Sequence, residues 1–262
     1  MEPSGLFLKE ADLMRCGATT VADHGRQPQY AWELIVSLKA DLEHDLKLLG
    51  SGSRGKVHPS AVLYAPENML IESGAEIEAT AVLDARSGPI YIGKNTIVRP
   101  QAYLRGPLSI GPECRIGGEV SQTIIVGYSN KAHFGFLGHA YIGEWVNLGA
   151  GTTNSNLKNT YGTVKLAGVD TKQQFMGCLI GDFAKLGIGT LINTGTVIGF
   201  GANVLGGELT PKVIPSFTWE KEKKYRLDDF FKAAGRMMAR RGVNLTAEER
   251  EKINQLYKLA IN

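Results

Sequence analysis

Residues 90–117 read IYIGKNTIVRPQAYLRGPLSIGPECRIG, and an aliphatic side chain returns there at every sixth position: Ile92, Val98, Leu104, Ile110 and Ile116. Working outward, Val57 and Leu63 open the same series and Ile71, Ile77 and Leu83 carry it on. It loses its phase after Ile116, returns at Ile142 and Leu148, and runs unbroken again through Ile180, Leu186, Ile192, Ile198 and Val204. Glycine often follows the aliphatic, as in Ile92-Gly93, Ile110-Gly111, Ile142-Gly143, Ile180-Gly181 and Ile198-Gly199. A small residue such as Thr96, Cys114, Thr152, Ala184 or Thr190 often stands four places on. An amphipathic helix would need apolar residues at i, i+3, i+4 and i+7, and so many glycines would weaken it.

A period of six predicts an all-β fold: a single-stranded parallel β-helix of triangular section, with one short strand and one turn per hexad and three hexads per coil. The aliphatic points inward and stacks on its equivalents above and below. Glycine is expected where the turn takes a positive φ. Residues 57 to 209, less an insertion around 154 to 177, make about seven coils, and strands ~4.8 Å apart would give a prism roughly 34 Å tall. The repeat does not fix the handedness, although the general crossover rule favours right-handed coils.

The flanks follow other rules. Pro28 to Leu49, with Trp32, Leu34, Ile35, Leu38, Leu42, Leu46 and Leu49, has helical spacing and stops at Gly50, before a polar linker at 51–56. Lys221 to Arg241 and Thr246 to Leu259 read as two further helices, the second opened by a Thr246/Glu249 capping box. The division expected is an N-terminal segment over 1–56, the β-helix over 57–215 and a helical extension over 216–262.

Composition narrows the function. The chain has 262 residues, a formal charge of +3 and no dense basic tract, so neither nucleic acid nor an anionic membrane is indicated as a partner. No stretch approaches the ~18 apolar residues of a membrane span. Cys16, Cys114 and Cys178 are widely separated, which suggests neither a disulfide framework nor a zinc site and fits a cytoplasmic setting. The 32 glycines exceed the roughly 18 of ordinary usage and ask for many tight turns.

Function is expected where the repeat breaks, between Ile116 and Ile142 and between Thr153 and Ile180. The run NKAHFGFLGHAYIGEWVNLGAGTTNSN at 130–156 resembles the acetyltransferase half of the bifunctional glucosamine-1-phosphate N-acetyltransferase and N-acetylglucosamine-1-phosphate uridyltransferase. With IGDFAKLGIGTLINTGTVIG at 180–199 and KVIPSFTW at 212–219, it is more closely similar to a variant branch described as sugar nucleotidyltransferases. The resemblance implies left-handed coils, a homotrimer, acetyl-CoA as co-substrate and a small-molecule sugar phosphate as acceptor. It places His133 on the catalytic histidine, the general base that deprotonates an attacking sugar amine. Neutral imidazole suits that task near pH 7. It places Asn147 and Asn156 on acceptor-binding asparagines, makes Lys131, Arg105, Lys158 and Lys165 candidate cations for a sugar phosphate, and puts Gly187, Gly189 and Gly206 where CoA approaches closely.

The sequence also departs from the family's pattern. Phe136 and Leu157 stand where tyrosines are expected, so two hydroxyl contacts to the acceptor are lost, and no nucleotide-binding loop occurs in residues 1–56. His133 and His139 form H-x5-H, which is not the H-x4-H pair of zinc-binding β-helices, and no metal is expected. Trp145 and Trp219 read as packing residues, and Asn193 and Asn203 as turn or ladder asparagines. The alternative to an acyltransferase is a non-catalytic trimerising module.

Overall fold

The computed structural model describes residues 28–221 and 223–261; residues 1–27, with Cys16 and His24, lie outside the described residues. Parallel coils stack into a β-solenoid with three faces. Face A carries Met69–Ile71, Ile90–Ile92, Tyr141–Glu144, Cys178–Ile180 and Thr196–Ile198. Face B carries Glu76–Ile77, Ile97–Val98, Arg115–Ile116, Asn130–Lys131, Asn147–Leu148, Lys185–Leu186 and Asn203–Val204. Face C carries Val62–Tyr64, Val82–Asp84, Phe136–Gly138, Thr153–Asn154 and Leu191–Ile192. The longer strands Tyr103–Ile110 and Glu119–Gly127 run round the corner from face C to face A. Pairing already begins at Gly52–Ser53, within the stretch read as a linker.

The hexad aliphatics line the interior as expected, with Ile92, Val98, Leu104, Ile110 and Ile116 all at 0% exposure. The coils do not stop where the repeat fades. Val120, Ile125 and Leu137 continue the buried column, after steps of four and five residues in place of six. Two slots that aliphatics fill in neighbouring coils are polar here: Lys131 lies in register with Ile116 on face B, and Asn154 with Ile192 on face C. Both are buried.

The glycines that follow the aliphatics need correction. None of Gly93, Gly111, Gly143 and Gly181 has a positive φ; the left-handed residues stand two places later, at Asn95 (φ 58°), Glu113 (60°), Trp145 (58°) and Phe183 (61°). The reason for glycine is coil spacing. A Cβ on Gly93 would lie 2.5 Å from the Gly111 carbonyl carbon, and one on Gly111 only 1.6 Å from the Val126 carbonyl oxygen. Strands held at the ladder distance leave no room for a methyl group there.

Three added layers cover parts of the prism. Helix α1 (Trp32–Leu49) ends at Gly50, φ 82°. It lies against Tyr103–Ile110 and Glu119–Gly127, and Ala31, Trp32 and Ile35 share one apolar cluster with Val126, Tyr141, Leu179 and Val197 on face A. The insertion after Asn154 joins the same cluster through Val164, Leu166 and Met176, and folds back through a Leu157–Phe175 bridge and a Lys165–Leu166/Val169–Asp170 hairpin. Along the A–B edge, Trp145 stacks on Tyr128 at 4.3 Å, and Phe183, Phe200 and Phe217 continue the aromatic row. Trp145 is thus a packing residue. Helices α2 (Leu227–Ala239) and α3 (Ala247–Ile261) cover this row. The expected start of α2 at Lys221 is corrected, because Lys223–Lys224 pair antiparallel with Thr218–Trp219 before the helix begins. The capping box of α3 forms: Glu249 N–H donates to Thr246 Oγ1 at 3.1 Å, and Thr246 N–H to Glu249 Oε2 at 2.7 Å.

Candidate active site

The two histidines of the irregular stretch stand at opposite ends of Phe136–Gly138 on face C, and therefore at different corners of the prism. His133 is at the B–C corner and is exposed. His139 is at the C–A corner, with φ 52°, and is partly buried. A shared metal ion does not fit this separation.

At the B–C corner successive turns form an open groove of about 900 Å³, lined by Phe134, Ala150, Gly151, Gly187, Ile188, Gly189, Leu205, Gly206 and Gly207. All three glycines singled out for close approach of a cofactor are in it. Two also serve the coils themselves: a Cβ on Gly206 would lie 1.7 Å from the Ile188 carbonyl oxygen, and one on Gly187 2.7 Å from Gly206 N. Gly189, at φ +67°, has only Gly207 N at 3.9 Å, so its outward side is open. Phe134 is 73%, Ile188 75% and Leu205 59% exposed, leaving the groove apolar and unprotected. His133 directly precedes Phe134, so the candidate base borders the groove.

The C–A corner gathers a different set. His139 Nδ1 lies 2.9 Å from Asn156 Nδ2. An amide nitrogen donates, so Nδ1 accepts and the neutral ring carries its proton on Nε2. The imidazole stacks on Phe175 at 5.4 Å. Beneath, Asn154 holds both backbone groups of Gly138, accepting from its N–H at 2.8 Å and donating to its carbonyl at 2.9 Å. The Phe136 ring lies across Gly138, where an added Cβ would be 2.3 Å from the ring. Burial, reinforced by the Arg105 guanidinium, lowers the His139 pKa to about 4. With its lone pair already engaged, His139 is a neutral donor at pH 7 and a poor base.

A pH dependence follows from that shift. The unfolded chain takes up a proton near 6.5 that the folded chain refuses until about 4, so the stabilisation is complete above about 6.5 and is lost as pH falls toward 4. Thermal melts between pH 7 and 4 should show a falling midpoint, with a shallower fall in His139→Gln. The same slope in both proteins would remove His139 as its source.

The other sequence candidates are dispersed. Arg105 is exposed on face C, in register with Asp84 and Ser121. Lys158 donates to the Thr163 carbonyl within the insertion, and Lys165 is exposed on its hairpin opposite Asp170. Asn147 faces out from face B, where its Oδ1 accepts from Asn130 at 3.3 Å and Asn130 Oδ1 accepts from Arg241 at 3.2 Å. Lys131 as a phosphate cation is corrected. It is 3% exposed, and its ammonium donates to the carbonyls of Gly117 at 2.9 Å and His133 at 2.5 Å. Sequence reasoning passed over Asn154 and Phe175. Lys131 and Asn154 do lie six places after Ile125 and Leu148, a spacing that marks both as inward slots.

No family model matches the chain. Bifunctional protein GlmU of Picosynechococcus sp. is 30% identical over 148 residues, covering 56% of this chain and 29% of that protein. Bifunctional protein GlmU of Trichodesmium erythraeum is 34% identical over 145 residues, covering 55% and 28%. The chain is a β-solenoid of six-residue repeats that is similar to GlmU over about half its length. It spans less than a third of the length of these GlmU relatives. Among solved structures, AntD, an N-acyltransferase from Bacillus cereus in complex with dTDP and 3-hydroxybutyryl-CoA, is 15% identical with a TM-score of 0.34, covering 77% of this chain and 97% of that one. No helix among the described residues is long and apolar enough to cross a membrane.

Proposed function

We propose that this chain is an acyltransferase that uses acetyl-CoA to acylate the amine of a sugar phosphate or sugar nucleotide, with His133 as general base. The observation that carries this reading is the apolar groove that runs along the B–C corner from the turn bearing His133. An extended thioester can lie along stacked glycine turns, which bring backbone N–H groups close to a ligand. The exposed imidazole at the groove's end would take a proton from the attacking nitrogen as the carbonyl carbon–nitrogen bond forms and the thiolate of CoA leaves.

The acceptor set lies at the other corner. Arg105, Asn156 and Lys158 are separated from His133 by the width of face C, so one chain does not bring them to its own base. A homotrimer with face C turned inward would set the C–A corner of one copy beside the B–C corner of the next. Face A is covered by α1 and the insertion and the A–B edge by α2 and α3, whereas face C and its margin expose Leu191 at 42%, Leu209 at 61% and Tyr103 at 38%. Phe136 and Leu157 supply no hydroxyl, while His139 Nε2–H supplies a neutral donor, so glucosamine 1-phosphate is expected to be a poor acceptor. The proposed setting is cytoplasmic.

The test combines calorimetry with CoA, sedimentation at micromolar concentration, and release of CoA thiol from acetyl-CoA with a panel of amino-sugar phosphates and nucleotide-linked amino sugars. A trimer that binds CoA and turns over at least one acceptor is expected. A monomer, or a trimer with neither CoA binding nor thiol release, would leave a scaffold module in its place.

A further inference from the structure

Face B stacks Val57, Ile77, Val98 and Ile116, then Lys131, then Leu148, Leu186 and Val204 in its interior column. An ammonium buried among aliphatics is unfavourable unless its hydrogen bonds compensate, and an apolar side chain of the same length would fill the slot without that penalty. The stack therefore does not call for lysine. Lysine supplies what an aliphatic cannot: donors aimed upward at the corner. One reaches Gly117 O in the preceding coil and the other reaches the carbonyl of His133 itself. No carboxylate among the described residues pairs with it.

The corner is built round this ammonium. Gly118, with φ +73°, passes so close that a Cβ would meet His133 O at 2.8 Å, Gly135 O at 2.9 Å and Lys131 Nζ at 3.0 Å. The neighbouring carbonyls are held by longer bonds, Phe134 O by Gly151 N–H at 3.2 Å and Gly135 O by Glu119 N–H at 3.3 Å. The bond from Lys131 to His133 O is the shortest of the three that fix the carbonyls of residues 133–135. Asn154 does the equivalent for the second histidine from the neighbouring slot on face C, gripping Gly138 just before His139. These two long polar side chains, standing where aliphatics stack in the neighbouring coils, each lie beneath a histidine corner.

We propose that Lys131 is a positioning residue, whose buried ammonium fixes the backbone of the B–C corner and thereby holds the His133 imidazole at the end of the groove. Its catalytic consequence rests on the reading of His133 as base; the structural part does not. In Lys131→Met the prism should stay assembled, with a thermal midpoint equal to or above that of the unmodified protein. Hydrogen exchange should then speed up by roughly tenfold or more at Gly151 N–H and Glu119 N–H, with face A amides such as Gly181 unchanged. In the acyl-transfer assay kcat should fall about 10- to 100-fold with the KM for acetyl-CoA unchanged, the pattern of a misaimed base. A folded Lys131→Met with unaltered exchange at both amides would overturn the proposal. Faster exchange with no transfer activity in the unmodified protein would uphold Lys131 and remove the enzymatic reading instead. Should the variant not assemble, the unmodified protein still decides by NMR with nitrogen-labelled lysine. Slowly exchanging Lys131 ammonium protons that cross-relax with Gly117 and His133 support the role, and exchange as fast as that of surface lysines overturns it.

Discussion

His133→Ala should lower acyl transfer by about 10² to 10⁴ while the chain stays folded and still binds CoA. The range is the usual contribution of a positioned general base. The fold is expected to tolerate the change because the ring is exposed. What the corner needs from residue 133 is its carbonyl, which alanine keeps and Lys131 still engages. The groove is lined from Phe134 onward and does not include the imidazole. CoA affinity should accordingly stay within about twofold of the unmodified protein, since the lost group acts on the acceptor's proton. His139 offers no substitute, with Nδ1 already accepting and burial holding the ring near 4. Turnover of the best acceptor, compared at saturating acetyl-CoA in both proteins, is the deciding measurement. Equal rates would dismiss His133 as the base even if CoA binds as expected.

Phe230→Ala should destabilise the protein by about 3–5 kcal/mol, as large-to-small changes at packed aromatic sites do. Phe230 is at 0% exposure and its ring meets Phe183, Phe200, Phe217 and Tyr225 with centroids 5.4–5.8 Å apart. It is the residue through which α2 grips the aromatic row of the A–B edge. Phe183, Phe200 and Phe217 sit on the stacked coils and cannot close on the space, so the cavity term is expected in full. Denaturant unfolding followed by circular dichroism would measure it, with helical signal lost at lower denaturant than strand signal if the helices detach first. A change below about 1 kcal/mol would mean that α2 docks by other contacts.

Much of the architecture was legible because a repeat writes the same physical requirement many times. Ile92, Val98, Leu104, Ile110 and Ile116 each fill the same interior slot, so the period alone identifies the solenoid. Gly50 and the Thr246/Glu249 pair marked helix ends because a stop or a cap has few chemical solutions. The region of the candidate site was harder for the same reason. From Ile116 the chain steps four residues to Val120 and five to Ile125, so counting by six loses the faces, and Lys131 then disguises the next slot as a surface position. The left-handed corners were missed because Asn95, Glu113, Trp145 and Phe183 occupy them, although glycine is the usual signal. Sequence alone also gave no means of separating His133 from His139 in space, since six residues carry the chain from one corner of the prism to the next.

A stack of coils is close to a one-dimensional chain of neighbours, in which each layer feels only the layers above and below and the ends can fray one at a time. Helix α1 changes that. It lies against Tyr103–Ile110 and Glu119–Gly127 and joins the insertion in one apolar cluster over Val126, Tyr141, Leu179 and Val197, outward residues from successive layers of face A, so that helix and insertion together act as a splint bound across the stack. A layer beneath the splint cannot open without loosening the cluster that covers the others. The middle of the prism, which includes both histidine corners, is thereby tied into a single cooperative block, and the gradual unzipping open to a bare solenoid is confined to the layers beyond the splint.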